Sequence, residues 1–246
     1  LGGISSNFNT NFVASTTSEF TVIEADEFDR SFLQLNPFAS IITSTDADHL
    51  DIYGNAETFL KGFQDYANQI NPEGFLILRK GLEIQSPATI QTYAIDEDAD
   101  FKGQNLRTKD GHFYMDMVTE TSKWNDIELG LPGIHNAENA LGCIALCLNL
   151  GLSEEEIRHG LASFKGVKRR FEFHIRTKEL IYIDDYAHHP TEIKALVSSV
   201  RLLYPGQKIT GIFQPHLYSR TRDFMENFAN ELSQIDELIL MPIYPA

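Results

Sequence analysis

A short polar segment lies between an apolar run and a helical pattern in the second half of the chain. The apolar run covers residues 180–183, and the helical pattern begins at Pro190. Between them stand two carboxylates and two imidazoles, which belong to Asp184, Asp185, His188 and His189. A strand that leads directly into a helix is the repeating unit of open α/β sheets, which bind ligands where their strands end. This segment therefore predicts an α/β fold with a ligand or reaction site at residues 184–192.

A second polar block follows the next apolar run in the same way. Residues 213–222 read F-Q-P-H-L-Y-S-R-T-R. Arg220 and Arg222 stand near a predicted helix start, where backbone N–H groups favour anions. A bound carboxylate is the functional interpretation, and an ordinary surface helix start is the alternative. Two such strand ends in succession predict one site formed by neighbouring loops.

The patterns before residue 165 predict a mixed sheet with helices. Short apolar strands are predicted at residues 20–23, 39–43 and 74–78, and small antiparallel strands at 89–117. Helices are predicted at residues 56–70 and 135–150, and a further helix opens with a capping box between Ser153 and Glu156.

The patterns after residue 170 alternate between strand and helix. A strand pair is predicted at residues 171–175 and 180–183, further strands at 209–213 and 237–241, and helices at 190–204 and 222–232. Such alternation implies a parallel sheet. The basic connector at residues 165–170 is the predicted domain boundary, which gives α/β domains at 1–168 and 169–246.

Composition and chain ends narrow the class of protein. The formal net charge is −15, which argues against general nucleic-acid binding. No apolar run approaches membrane-spanning length, and no signal peptide opens the chain. Cys143 and Cys147, four apart in an apolar run, predict two buried helix thiols and a reducing cytoplasmic setting. The missing initial Met and the stop after a strand predict an excerpt of a longer protein.

Acidic blocks follow two of the predicted strands. Residues 24–29 read E-A-D-E-F-D and residues 46–51 read D-A-D-H-L-D. Hard oxygen ligands suit Mg²⁺, and adjacent strands would bring His49 near Glu24. A solvated acidic loop and a capping or core imidazole are the respective alternatives.

Amide and basic side chains elsewhere in the chain suggest a nucleotide-binding site. Asn136 and Asn139 share one face of the helix that begins near residue 135, and paired amides can read an adenine edge. The cluster at residues 168–170, K-R-R, can hold a phosphate or a ribose. An Asn helix cap and a solvated linker are the alternatives. The chain contains no G-x-x-x-x-G-K-[ST] loop.

Taken in order, these blocks resemble the Mur ligase family of bacterial peptidoglycan synthesis. The matching blocks are those at residues 24–29, 46–51, 135–140, 169–172, 184–190 and 213–222. The resemblance covers nearly the whole chain, and the block at residues 213–222 is the most specific. It implies the later part of a central ATPase domain, followed by a Rossmann-like C-terminal domain that brings the amino acid.

The resemblance implies ATP-dependent ligation of L-alanine to UDP-N-acetylmuramate through an acyl phosphate, with Mg²⁺ as the metal. The implied metal ligands are Glu24 and His49, and the implied nucleotide residues are Asn136 and Asn139 for adenine, Arg170, and Asp185 for ribose. The implied amino-acid residues are Tyr186, His188, Arg220 and Arg222, with His188 and Arg220 as the catalytic candidates. Leu217 stands where many members carry Arg, and Arg222 is the candidate to compensate.

Three other interpretations are open. A related ligase that recycles murein peptides shares the first acidic block and the A-H-H-P-like block, but is not expected to carry the block at residues 213–222. A folded piece without turnover is the second, since no P-loop is present. A metal hydrolase is the third, with the ligands Asp46, Asp48, His49, His188 and His189.

Overall fold

A six-stranded sheet forms the first region of the protein. The structure is a computed structural model that describes residues 2–46, 50–109 and 111–245. The strands are β1 Ala39–Ile42, β2 Phe75–Arg79, β3 Thr89–Ile95, β4 Phe101–Lys109, β5 His112–Val118 and β6 Lys123–Leu129. They lie side by side in chain order. The pairs from β1 to β4 are parallel, and those from β4 to β6 are antiparallel.

Helices cover both faces of this sheet because its strands bury alternate residues in opposite directions. The helices are α1 Leu50–Tyr53, α2 Ala56–Ala67, α3 Ile134–Asn149 and α4 Glu154–Ser163. In β2, Ile77 joins the core under α3 with Leu141, whereas Leu76 and Leu78 join a second core with Tyr66 of α2. Burying one such aliphatic side chain contributes roughly 1.5–3 kcal/mol. The predicted capping box between Ser153 and Glu156 is present at the start of α4.

The second region contains two small sheets and three helices. A hairpin pairs β7 Glu172–Arg176 with β8 Ile181–Asp184, and β9 Thr210–Phe213 runs parallel to β10 Glu237–Leu240. The helices are α5 Pro190–Leu203, α6 Tyr218–Asp223 and α7 Met225–Leu232. A small core joins α5 to α7 through Ile193, Val197, Phe228 and Leu232. The predicted α/β class with a small antiparallel part is confirmed.

Four details of the sequence prediction are wrong. Residues 20–23 form no strand and pair with no described strand; Val22 is 84% exposed, so the apolar run buries nothing. β3 is parallel to both of its neighbours, not antiparallel. The second region has no continuous parallel sheet, because β8 pairs only with β7 among the described strands. The helix predicted at residues 222–232 is two helices that meet at Phe224, where φ is −116°.

One thiol also differs from the prediction. Cys143 is exposed and Cys147 is half-buried, because α3 packs its opposite side, including Leu141 and Ile144, against the sheet. Neither is in a disulfide. Within the described ranges, no helix combines the length and the apolar character needed to cross a membrane.

Candidate functional site

The loop between β8 and α5 is held in one shape by a carboxylate. Glu192, in the first turn of α5, accepts hydrogen bonds from the backbone N–H groups of His188 (2.8 Å) and His189 (3.0 Å). Nδ1 of His188 lies 2.9 Å from the carbonyl oxygen of Tyr186 and 3.4 Å from Oε2 of Glu192. With Nδ1 engaged by the loop, Nε2 is the ring nitrogen suited to address a ligand.

The two adjacent histidines face different surroundings. The His188 ring lies 5.0 Å from the Tyr186 ring and 6.4 Å from the His216 ring, centroid to centroid. The His189 ring instead packs edge-on against Phe224 at 4.8 Å. One imidazole therefore faces the predicted site and the other supports the helix, which is unfavourable for the pair of metal ligands that a hydrolase would need.

Tyr186 is the exposed aromatic of this loop. Tyr186 is 48% exposed, and the guanidinium carbon of Arg169 lies 4.7 Å from its ring centroid. Its backbone N–H donates to the carbonyl of Arg169 at 2.7 Å. The basic connector is thus attached to the loop that carries His188.

His216 joins this group from the block at residues 213–222. Its ring stacks on Tyr244 with centroids 5.6 Å apart and planes at 17°. Burial lowers the pKa of His216 most, and the nearby charges of Arg220 and His188 lower it further. The structure therefore brings His188, His216 and Arg220 into one electrostatic group. The sequence predicted no role for His216, although it stands in the block at residues 213–222, and none for Tyr244.

The start of α6 is fixed by the chain that follows β10. Leu217 N–H donates to the carbonyl of Tyr244 at 3.0 Å, and Tyr244 N–H donates to the carbonyl of Pro215 at 2.8 Å. The backbone of Leu217 has φ 68°, a value that residues other than glycine rarely adopt. Arg220, half-buried in α6, follows one turn later.

Arg222 is not brought to this group. Its side chain is 77% exposed, and Nε donates to Oδ1 of Asp223 at 2.7 Å. The partner of Arg222 is therefore the carboxylate of Asp223. The structure offers no support for the hypothesis that Arg222 replaces the cation that is lost at Leu217.

Asp185 ties the loop after β8 to the segment that leads into β7. Its two carboxylate oxygens accept the backbone N–H groups of Phe171 and Ala187, each at 2.8 Å. Burial raises the pKa of Asp185, those two hydrogen bonds lower it, Glu192 raises it, and His135 lowers it. Each carboxylate oxygen keeps a second lone pair, which a ribose hydroxyl can use.

His135, at the start of the block at residues 135–140, is a residue of this junction for which the sequence predicted no role. Loss of contact with water lowers the pKa of His135 most. The charges of Asp185 and Glu138 raise this pKa, and the charge of Arg170 lowers it. Gly133, just before α3, has φ 111°, and a Cβ there would lie 2.6 Å from Oγ of Ser199 in α5. The glycine lets the start of α3 approach α5. The charges of Asp185 and Arg170 act on His135 at this junction.

The two predicted adenine amides differ. Nδ2 of Asn136 donates to the carbonyl of Pro132 at 2.6 Å, so this amide already holds the start of α3. Asn139 is exposed on the same helix. Asn139 is the more available of the two for a base.

Of the two predicted metal ligands, only Glu24 lies within the described residues. Glu24 is exposed and accepts a hydrogen bond from the backbone N–H of Gly2. His49 lies outside the described residues, as does Asp48 of the alternative hydrolase set. A carboxylate oxygen is a ligand of the kind that Mg²⁺ prefers.

Two family descriptions match the chain. They are "Mur ligase middle domain" over residues 4–147 and "Mur ligase, glutamate ligase domain" over residues 169–245. The UDP-N-acetylmuramate--L-alanine ligase of Phocaeicola vulgatus is 49% identical over 250 residues, covering 100% of this chain and 54% of that protein. The same enzyme of Parabacteroides distasonis is 48% identical, with the same coverage.

A solved structure of a ligase with this name is also similar to the chain. The UDP-N-acetylmuramate-alanine ligase MurC of Thermotoga maritima matches with a TM-score of 0.76 and 28% identity, covering 89% of this chain and 49% of that one. The chain spans about half the length of the curated relatives it matches. With one family description covering more than half of its residues, the chain belongs to the Mur ligase family.

Proposed function

We propose that the protein to which this chain belongs joins L-alanine to UDP-N-acetylmuramate at the expense of ATP, in bacterial peptidoglycan synthesis. Two relatives above 45% identity carry the name of that ligase. The observation that carries the proposal is the grouping of His188, His216 and Arg220 where the loops after β8 and β9 meet. The proposed setting is the cytoplasm, and the cellular roles are in cell shape and division.

The reaction needs a polar pocket for a small amino acid. L-alanine offers a carboxylate and an amine, and its methyl group gives little to grip. Arg220 is the proposed partner of the carboxylate, since a guanidinium can hold a carboxylate through two parallel hydrogen bonds. His188 and the exposed ring of Tyr186 form the proposed wall on the other side.

The nucleotide is proposed to lie at the junction of the two regions. ATP, when bound, supplies the phosphoryl group that converts the muramate carboxylate to an acyl phosphate. The donor set fits a nucleotide: Asn139 offers an exposed amide, Arg170 a cation and Asp185 an acceptor for ribose hydroxyls. Asn136 is proposed to shape this site from the start of α3.

Mg²⁺ is the proposed metal, and Glu24 is its proposed ligand in the described residues. An exposed carboxylate suits a hard divalent cation. His49 stays a prediction. The predicted boundary between residues 168 and 169 likewise stays a proposal, with residues 1–168 as the central domain and 169–246 as the C-terminal one.

The test uses the full-length protein with ATP, Mg²⁺ and UDP-N-acetylmuramate. Formation of ADP and a ligated product should require L-alanine and should be much slower with a murein tripeptide. Preference for the tripeptide would favour the recycling ligase instead. The chain of 246 residues alone is proposed to fold without ATP turnover, because it contains no phosphate-cradling P-loop.

A further inference from the structure

The hairpin of β7 and β8 carries three metal-ligating side chains on one face. Glu172 lies directly opposite Asp184 in the register, and a bulge between Phe173 and Ile175 places His174 beside them. One ligand atom from each of Glu172, His174 and Asp184 lies within 4.8 Å of the others. The group contains neither Glu24 nor His188.

The distances within this group suit a shared cation better than direct hydrogen bonds. Nε2 of His174 lies 3.8 Å from Oε2 of Glu172 and 3.8 Å from Oδ2 of Asp184. Both distances exceed the hydrogen-bond range. Two ligands bound tetrahedrally at about 2.1 Å from Zn²⁺ lie roughly 3.4 Å apart. Shifts of a few tenths of an ångström would therefore bring the imidazole and each carboxylate to the spacing of metal ligands.

The charges of the hairpin also favour a cation. Like charges directly opposite each other destabilise a strand pair. Arg169 relieves this only in part: its backbone N–H donates to Oε2 of Glu172 at 2.8 Å, and its Nε lies 3.9 Å from Oδ2 of Asp184. Its guanidinium is shared with the ring of Tyr186.

The imidazole is held in place from its own strand pair. The ring of His174 stacks on Tyr182 with centroids 5.2 Å apart and planes at 29°. The side chains of His174, Glu172 and Asp184 are 44%, 26% and 34% exposed. That exposure leaves room for water to complete a coordination shell.

We propose that Glu172, His174 and Asp184 form a site for a divalent transition-metal ion of the Zn²⁺ class. An imidazole with two carboxylates selects such ions over Mg²⁺ and Ca²⁺, which prefer all-oxygen ligands. The site lies on the strand that ends at Asp184, one residue before Asp185.

The experiment titrates Zn²⁺ into this chain against a chromophoric chelator, with Mg²⁺ as the second probe. One Zn²⁺ per chain is expected, and His174→Ala should weaken its binding at least tenfold. His112→Ala is the matched control, because among the described residues His112 pairs with one carboxylate, with Nδ1 3.0 Å from Oε1 of Glu128. It should leave Zn²⁺ binding unchanged. Mg²⁺ in excess should not compete.

A second variant keeps the test decisive if His174→Ala disturbs the hairpin. Arg169→Gln removes the competing guanidinium and should strengthen Zn²⁺ binding several-fold. Equal Zn²⁺ affinity in His174→Ala and wild type, or weaker binding in Arg169→Gln, would overturn the site. In that event the three side chains form only an ion-pair network.

Discussion

The imidazole of His216 lies nearly parallel to the ring of Tyr244, with centroids 5.6 Å apart and planes at 17°. The backbones of the same two segments are joined by hydrogen bonds on both sides of His216, through Pro215 and Leu217. Tyr244 therefore covers the imidazole and anchors the loop that leads to Arg220.

This cover should be visible in the titration of His216. Burial is the largest cause that lowers its pKa, so Tyr244→Ala should raise the pKa toward the ordinary histidine value. Tyr244→Phe keeps the ring and should leave the pKa low. NMR titration of this chain measures the pKa of His216 in both variants. An unchanged His216 pKa in a folded Tyr244→Ala variant would show that the ring provides no cover.

Much of the fold follows from local patterns in the sequence. The helix start at Pro190, the capping box at Ser153 and the strand at Ala39–Ile42 are each set by nearby residues. Residues 20–23 have the same apolar character as a strand, but find no partner strand among the described residues. Pairing is a long-range property that the local pattern does not contain.

The candidate site was predictable in its motifs but not in its contacts. His188 and Arg220 stand in recognisable blocks, whereas the approach of Tyr244 to His216 depends on how β10 lies beside β9. Arg222 shows the same limit, because spacing placed it near Arg220 but its side chain pairs with Asp223.

The core under α3 should tolerate truncation poorly. Leu141 is completely buried between α3 and the sheet, so Leu141→Ala should lower the free energy of unfolding by about 2–5 kcal/mol. Leu60 of α2 is 41% exposed, and Leu60→Ala should cost well under half as much. Urea denaturation of this chain compares the two. Equal losses would contradict a core position for Leu141.

Substitutions of Asn139 and Asn136, the two amides near the start of α3, should have different effects on kinetics and on stability. In the full-length protein, Asn139→Ala should raise the KM for ATP. The loss of one or two hydrogen bonds should weaken ATP binding by roughly 1–3 kcal/mol. Asn136→Ala should instead lower the melting temperature, because its amide binds the carbonyl of Pro132. If Asn139→Ala raises the KM values for ATP and alanine equally, Asn139 has a structural role.

Glu24 should be required for ligation and not for folding. Its side chain is exposed, so Glu24→Ala should preserve the circular dichroism spectrum and the melting temperature of the full-length protein. Ligation at ordinary Mg²⁺ concentration should be abolished. Near-normal turnover by this variant would remove Glu24 from the metal site.

The central claim is that Arg220 holds the carboxylate of L-alanine, and the response of the alanine KM to Arg220→Lys tests it most directly. A lysine keeps the charge but loses the paired hydrogen bonds, so the KM for L-alanine should rise at least about tenfold, or 1.4 kcal/mol. The KM for ATP should move much less. Arg222→Lys is the matched comparison two residues away, and it should change the alanine KM far less because Arg222 pairs with Asp223. An unchanged alanine KM in Arg220→Lys, or a loss confined to ATP, would contradict the claim.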